Sequence, residues 1–294
     1  MARLEANGMD IEYEVHGDPN NPPMLLIMGL GAQLITWDDG FVDDLVERGF
    51  YVIRYDNRDS GLSTKMEAAG PADVRAAFAG DPRPAYTLDD LADDAVGVLD
   101  ALHIPAAHIV GASMGGFIAQ LVAINHPERT LSLTSIMSGP GGRDAIAPTP
   151  EAGAVLVRVP GPSREEIIAT NLEARRVLAG EGNPFDVEAE TAKVVRLYER
   201  SYYPLGFGRQ FVAILAAKSR IPALRSLKVP TLVVHGADDP LVPPENGKRV
   251  AEAVPGARYL EFAGAGHNLP PSTWGAVADA IAETARQASP AARG

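Results

Sequence analysis

Six short apolar runs constrain this chain more than any other feature. They lie at 24–28, 51–55, 107–110, 133–137, 231–234 and 258–262. Most are short and strongly apolar, as expected for strands buried on both faces of a parallel sheet. Helical stretches separate them. The clearest is 88–102, where Leu88, Leu91, Ala95, Val98, Leu99 and Leu102 mark one apolar face, preceded by Thr87 and Asp90 as a capping box with a short acid. Before the first run, Asn7-Gly8 sits between 3–6 and the alternating 9–15, the turn pair that joins two antiparallel strands. The expectation is an α/β fold with a mostly parallel eight-stranded sheet and flanking helices.

The alternation stops near Ser138. From there to Ile221 no convincing strand is found, whereas Ser163 and Glu166 form a full capping box for a helix through Leu178. A second helix is expected from Asp186 through Val194, Val195, Leu197 and Tyr198, and a third over 207–218. The predicted organisation is a core of 1–137 and 222–294, with 138–221 inserted as a helical lid. No repeat of fixed period interrupts this pattern.

Composition narrows the function. The 294 residues carry 46% hydrophobic and 22% charged residues, globular averages, and the net charge is −12 without a basic run. Nucleic acid and anionic membrane surfaces are therefore not expected partners. Cysteine is absent, which removes disulfides, thiol catalysis and thiolate metal sites. No His/Asp cluster has metal-ligand spacing and no Gly-rich phosphate loop is present, so no metal and no cofactor is expected. The N-terminal residues lack an apolar signal core, and no segment approaches ~18 uninterrupted apolar residues, so a soluble, cytoplasmic protein is expected.

Chemistry enters at Gly111-Ala112-Ser113-Met114-Gly115, which follows the run 107–110 and opens a helical pattern. Gly-x-Ser-x-Gly in a strand-to-helix turn is a nucleophile elbow: the tight bend admits only hydrogen beside the serine and projects its hydroxyl from the sheet. A serine hydroxyl is protonated at neutral pH and needs a base, and the base needs a third group to hold its tautomer. His267, in Ala263-Gly264-Ala265-Gly266-His267-Asn268 after the last run, is the candidate base. The turn after 231–234 offers Asp238 and Asp239. The chain order Ser, Asp, His is that of an α/β-hydrolase, each member following its own strand. A roleless loop histidine is the plain alternative for His267. His16, His103, His108 and His126 fall at element ends and read as surface or capping residues, and His235 reads as packing or hydrogen-bonding beside the acid turn. For the oxyanion, the amide of Met114 is one expected donor, and the amide of Leu30 in Gly29-Leu30-Gly31 the other.

Together with Asp56-Asn57-Arg58-Asp59-Ser60-Gly61-Leu62-Ser63, His126-Pro127-Glu128-Arg129 and Gly236-Ala237-Asp238-Asp239-Pro240, these motifs resemble the α/β-hydrolase superfamily over nearly the whole chain. Within it the chain is most similar to small esterases related to aclacinomycin methylesterase, which likewise carry Met-Gly before the oxyanion loop. The resemblance implies hydrolysis of a small to medium, partly apolar carboxylic ester by water through an acyl-enzyme. It selects Asp239 as the orienting acid, a choice that Pro240 supports by restricting the residue before it. It also marks Met28 as a departure, since the superfamily's usual histidine braces the oxyanion loop. Arg58 or Asp59 is a candidate replacement. Phe207 and Phe211 are candidate pocket walls. Carbon–carbon bond hydrolases and cofactor-free perhydrolases share the Gly-x-Ser-Met-Gly-Gly stretch, and a non-catalytic ligand receptor can share the fold.

Overall fold

The Asn7-Gly8 turn sets the start of the fold. Both residues have positive φ, 50° and 73°, and they join β1 (Ala2–Ala6) to β2 (Met9–His16) in an antiparallel hairpin. In this computed structural model the described residues are 2–182 and 184–288. Residues 1, 183 and 289–294, which the expected core and lid boundaries include, lie outside them.

Beyond the hairpin come β3 (Pro23–Ile27), α1 (Asp39–Glu47), β4 (Tyr51–Tyr55), α2 (Val74–Phe78), α3 (Leu88–Ala101), β5 (Ala107–Ala112), α4 (Met114–Asn125) and β6 (Thr130–Ile136). The chain then runs through α5 (Pro150–Val157), α6 (Arg164–Leu178), α7 (Val187–Arg200), α8 (Pro204–Ala216) and α9 (Ile221–Leu224) before β7 (Thr231–Gly236), α10 (Pro244–Ala253), β8 (Arg258–Phe262) and α11 (Pro271–Ala288). The sheet order is β1-β2-β4-β3-β5-β6-β7-β8, antiparallel at β1-β2 and β2-β4 and parallel elsewhere.

Side chains alternate along these strands, so each parallel strand feeds two cores. Leu25, Ile27, Ile53, Ile109, Leu133 and Val233 pack with α3 and α4, chiefly Leu91, Leu99, Ile118 and Val122. On the other face Met24, Leu26, Val52, Val110, Leu232 and Val234 pack with Phe41 and Leu45 of α1 and Val277 and Ile281 of α11. The capping boxes at Thr87-Asp90 and Ser163-Glu166 both form, which fixes the starts of α3 and α6.

Three expectations are corrected. The third helix of the insertion is α8, which starts at Pro204 because proline suits the first helical turn, and ends at Ala216. The insertion also contains α5, capped by Thr149, whose eight residues are too short to show a helical period. His108 is neither surface nor capping: it is buried within β5, its Nδ1 lies 2.8 Å from Ser132 Oγ, and burial lowers its pKa to about 4. Among the described residues no helix is long and apolar enough to cross a membrane.

Candidate active site

The elbow is built by close approach. A Cβ on Gly111 would lie 2.0 Å from the Gly115 carbonyl oxygen, and one on Gly115 would lie 2.0 Å from that of Ile27, so neither position accepts a side chain. Between them Ser113 takes φ 57° and ψ −121°, a strained conformation for a non-glycine residue. Hydrogen bonds to its backbone hold it there. Its N–H donates to the Ile136 carbonyl at 2.9 Å, and its carbonyl accepts from the Gly116 N–H and the Ser138 hydroxyl, each at 2.9 Å. The strain is thus balanced by β6 on one side and by α4 on the other.

Asp239 follows β7 and His267 follows β8, so both reach the carboxyl edge of the sheet where Ser113 stands. His267 Nε2 lies 2.9 Å from Ser113 Oγ, and its Nδ1 lies 2.7 Å from Asp239 Oδ2. A carboxylate facing Nδ1 requires Nδ1–H, which leaves Nε2 as the acceptor for the serine proton. Asp239 Oδ1 accepts from the amides of Leu241 at 2.9 Å and Val242 at 2.8 Å. Burial opposes the Asp239 charge, yet the His267 charge, the hydrogen bonds from His235 and His267 and the Val242 amide outweigh it and hold the carboxyl well below the usual range. Asp238 is exposed. His235 is buried beside Asp239, its Nε2 2.7 Å from the Val242 carbonyl oxygen, in the packing role expected of it.

The histidine loop also leans on the insertion. The His267 N–H donates to the Leu178 carbonyl at 2.7 Å and the Gly266 N–H to that of Ala179 at 3.2 Å, both at the end of α6.

On the far side of Ser113 the loop after β3 approaches so closely that a Cβ on Gly29 would lie 3.0 Å from Ser113 Cβ. The amides of Leu30 and Met114 donate to no acceptor among the described residues, which leaves both available to an oxygen developing beside Ser113. Met28 is not braced by the side chains of Arg58 or Asp59. Arg58 forms a two-point pair with Asp94 at 2.6 Å, and Asp59 receives Arg209 at 2.7 and 2.8 Å and the Tyr86 hydroxyl at 2.7 Å. Each carboxylate fully engages a buried cation, so neither pair has a group to spare for the loop. Asn57 donates instead to the Met28 carbonyl at 3.0 Å, and Gln210 of α8 accepts from the Gly31 N–H at 2.8 Å. Sequence reading missed Gln210. Its one signal is a polar pair, Arg209-Gln210, set in an otherwise apolar helix and entirely buried.

A cavity of about 1560 Å³ opens above Ser113 and His267. Phe207 and Phe211 line it with Met28, Met137 and Ile214, and its lining also includes Lys193, paired with Asp38 at 3.0 Å, and Glu190, paired with Arg175 at 2.5 Å. Among the described residues no group of three or more His, Asp or Glu side chains is placed to hold a metal.

A family model of the alpha/beta hydrolase fold matches residues 22–169 and 190–271. Rhodomycin D methylesterase DnrP of Streptomyces peucetius is 32% identical over 299 residues, covering 93% of this chain and 94% of that protein. Rhodomycin D methylesterase DauP of Streptomyces sp. (strain C5) matches to the same extent. Among solved structures, a meta-cleavage product hydrolase from Pseudomonas fluorescens superposes with a TM-score of 0.77 at 22% identity, covering 98% of each chain. A thermophilic esterase from Thermogutta terrifontis superposes with a TM-score of 0.76 at 23% identity, covering 98% of this chain and 99% of that one. At these identities the two superpositions speak to the fold alone.

Proposed function

The chain belongs to the alpha/beta-hydrolase family and is an ester hydrolase of it, and from that premise we propose that it is a serine carboxylesterase working through an acyl-enzyme on Ser113. The observation that carries this reading is the unbroken chain Asp239-His267-Ser113, with contacts of 2.7 and 2.9 Å at the floor of the cavity.

Ser113 Oγ attacks the ester carbonyl carbon while its proton passes to His267 Nε2. The carbonyl oxygen becomes an oxyanion received by the Leu30 and Met114 amides. Collapse breaks the bond to the alcohol oxygen, which leaves with the proton from His267. A water then attacks the acyl-enzyme, again giving its proton to His267, and the second collapse returns that proton to Ser113 and releases the acid. Asp239 stays ionised throughout, holding Nδ1–H and stabilising the imidazolium.

Residues 138–221 form the lid over this site in the same reading, with Phe207 and Phe211 as walls. The cavity exceeds the ~300–1,000 Å³ of ordinary small-molecule clefts, which favours a bulky acyl group. The methylesterases at 32% identity favour a small alcohol. The preferred substrate class is therefore a methyl or other short-alcohol ester of a bulky, mostly apolar acid.

A panel of p-nitrophenyl esters of increasing chain length, beside methyl esters of bulky aromatic acids, tests the assignment. Turnover by the wild type that falls by several orders of magnitude in Ser113→Ala, at unchanged folding, is expected. Equal turnover by both proteins overturns it.

A further inference from the structure

We propose that Gln210, on α8, is a positioning residue for the oxyanion loop, so that the helical insertion contributes to acyl transfer as well as roofing the cavity. The inference rests on the ester-hydrolase reading of the Ser113 site.

The loop after β3 contains a four-residue turn, closed by the Ala32 N–H donating to the Gly29 carbonyl at 3.2 Å, with Gly31 at φ +65° in its third position. Positive φ there defines a type II turn. A type I turn over the same residues differs mainly by a flip of its central peptide, which here joins Leu30 to Gly31. The N–H of that peptide is the group Gln210 Oε1 accepts, at 2.8 Å. Flipping would change Leu30 ψ and Gly31 φ and withdraw the Gly31 N–H from its acceptor, while the Leu30 N–H belongs to the preceding peptide; Gln210 therefore acts on the oxyanion amide by anchoring the residue that carries it, from the peptide on its other side.

Gln210 cannot yield easily. Both protons of its Nε2 are engaged, by the Arg58 carbonyl at 2.8 Å and Ser60 Oγ at 3.0 Å, and this sets which end of the amide faces Gly31. Its helix is pinned to the same 57–60 segment one residue earlier, where Arg209 reaches Asp59 through two bonds while 1% exposed. Phe207, one turn back on α8, closes the remaining side of the turn, since a Cβ on Gly31 would lie 2.7 Å from its ring. At a loop whose preceding residue is a methionine, a thioether that donates no hydrogen bond, these contacts restrain the turn from above. A polar side chain buried this deeply between a turn and a neighbouring loop is expected to specify one arrangement of both.

The test compares Gln210→Met with Gln210→Glu in the full chain, measuring kcat and KM on one p-nitrophenyl ester and the inhibition constant of a trifluoromethyl ketone that mimics the tetrahedral intermediate. Gln210→Met removes the acceptor. Its kcat should fall roughly 10–100-fold, part of the ~10²–10³ for a deleted oxyanion donor. KM should stay within about threefold and the ketone should weaken by the same factor as kcat/KM, because the lost contact acts only in the transition state. Gln210→Glu keeps an oxygen for the Gly31 N–H but turns its other oxygen toward the Arg58 carbonyl that Gln210 donates to, so its kcat should fall between those of the wild type and Gln210→Met. Should Gln210→Met not fold, Ser60→Ala, which frees the Gln210 amide on one side, reads the same quantity: a two- to fivefold fall in kcat is expected at unchanged KM. Wild-type kcat and ketone affinity in the readable variant overturn the inference alone. Absence of ester turnover in the wild type overturns the parent reading and this inference with it.

Discussion

Replacing Asp239 by asparagine should nearly abolish activity while leaving the fold intact, and the hydrogen bonds around the carboxylate say why. Its Oδ1 accepts from the Leu241 and Val242 amides, a position only an oxygen can fill. An asparagine must therefore place its oxygen there and turn its NH₂ toward His267, where Oδ2 now accepts from Nδ1 at 2.7 Å. Facing a donor, Nδ1 becomes the acceptor and the proton moves to Nε2, which lies 2.9 Å from Ser113 Oγ and then cannot receive the serine proton. The same forced tautomer lowers kcat about 10⁴-fold in the serine protease case, or about 5.4 kcal/mol at ~1.36 kcal/mol per decade. The assay is kcat on one p-nitrophenyl ester for Asp239→Asn and for Asp238→Asn, with circular dichroism as the folding check. Asp238 is exposed and should tolerate the change within about twofold, as surface substitutions generally do. An Asp239→Asn variant within tenfold of wild type refutes the orienting role, and the reverse ranking of the two variants transfers it to Asp238.

Gly115→Ala sets a Cβ 2.0 Å from the Ile27 carbonyl oxygen and 2.9 Å from that of Met28, so it should cost about 3 kcal/mol or more in denaturant unfolding and depress kcat, and unchanged stability would contradict the close packing of α4 on β3. His108, with its pKa lowered by burial from 6.5 to about 4, binds fewer protons folded than unfolded between those values. Stability should therefore decline as pH falls through 6.5, by about 3 kcal/mol on reaching pH 4, and His108→Gln should flatten that part of the urea-denaturation profile. An equally steep profile in the variant removes His108 as the cause. Phe207→Leu should shift preference among acyl chain lengths by roughly tenfold in kcat/KM while leaving kcat on the acetate within about threefold. An unchanged preference series would separate this wall from selectivity.

Much of the architecture is legible because it rests on local or repeated signals. The parallel strands announce themselves by short, mostly apolar runs, the hairpin by Asn7-Gly8, and the starts of α3 and α6 by capping boxes that close within three residues. The elbow is legible for the same reason: Gly111 and Gly115 answer a steric demand made inside five residues. His267 and Asp239 are found by their place after strands, a rule of topology. What escapes is long-range or isolated. Gln210 meets Gly31 across 179 positions, and nothing in the spacing of either residue signals the other. Arg58 and Asp59 looked available as braces because their partners, Asp94 and Arg209, lie on distant helices. His108 resembles a peripheral residue because a lone histidine at the start of an apolar run looks like an end, whereas Ser132 on the neighbouring strand supplies the partner that lets it stay buried and neutral. The short helix α5 shows no period because eight residues span little more than two turns.

The central claim, that Ser113 is the nucleophile of an ester hydrolase, is tested most directly by titrating the enzyme with a fluorophosphonate and locating the adduct by peptide mass mapping while residual esterase activity is followed. One adduct per chain, on Ser113, with activity lost in proportion to labelling, is the expected result. An adduct on another residue that accompanies the loss, or full activity in protein phosphonylated at Ser113, would contradict it.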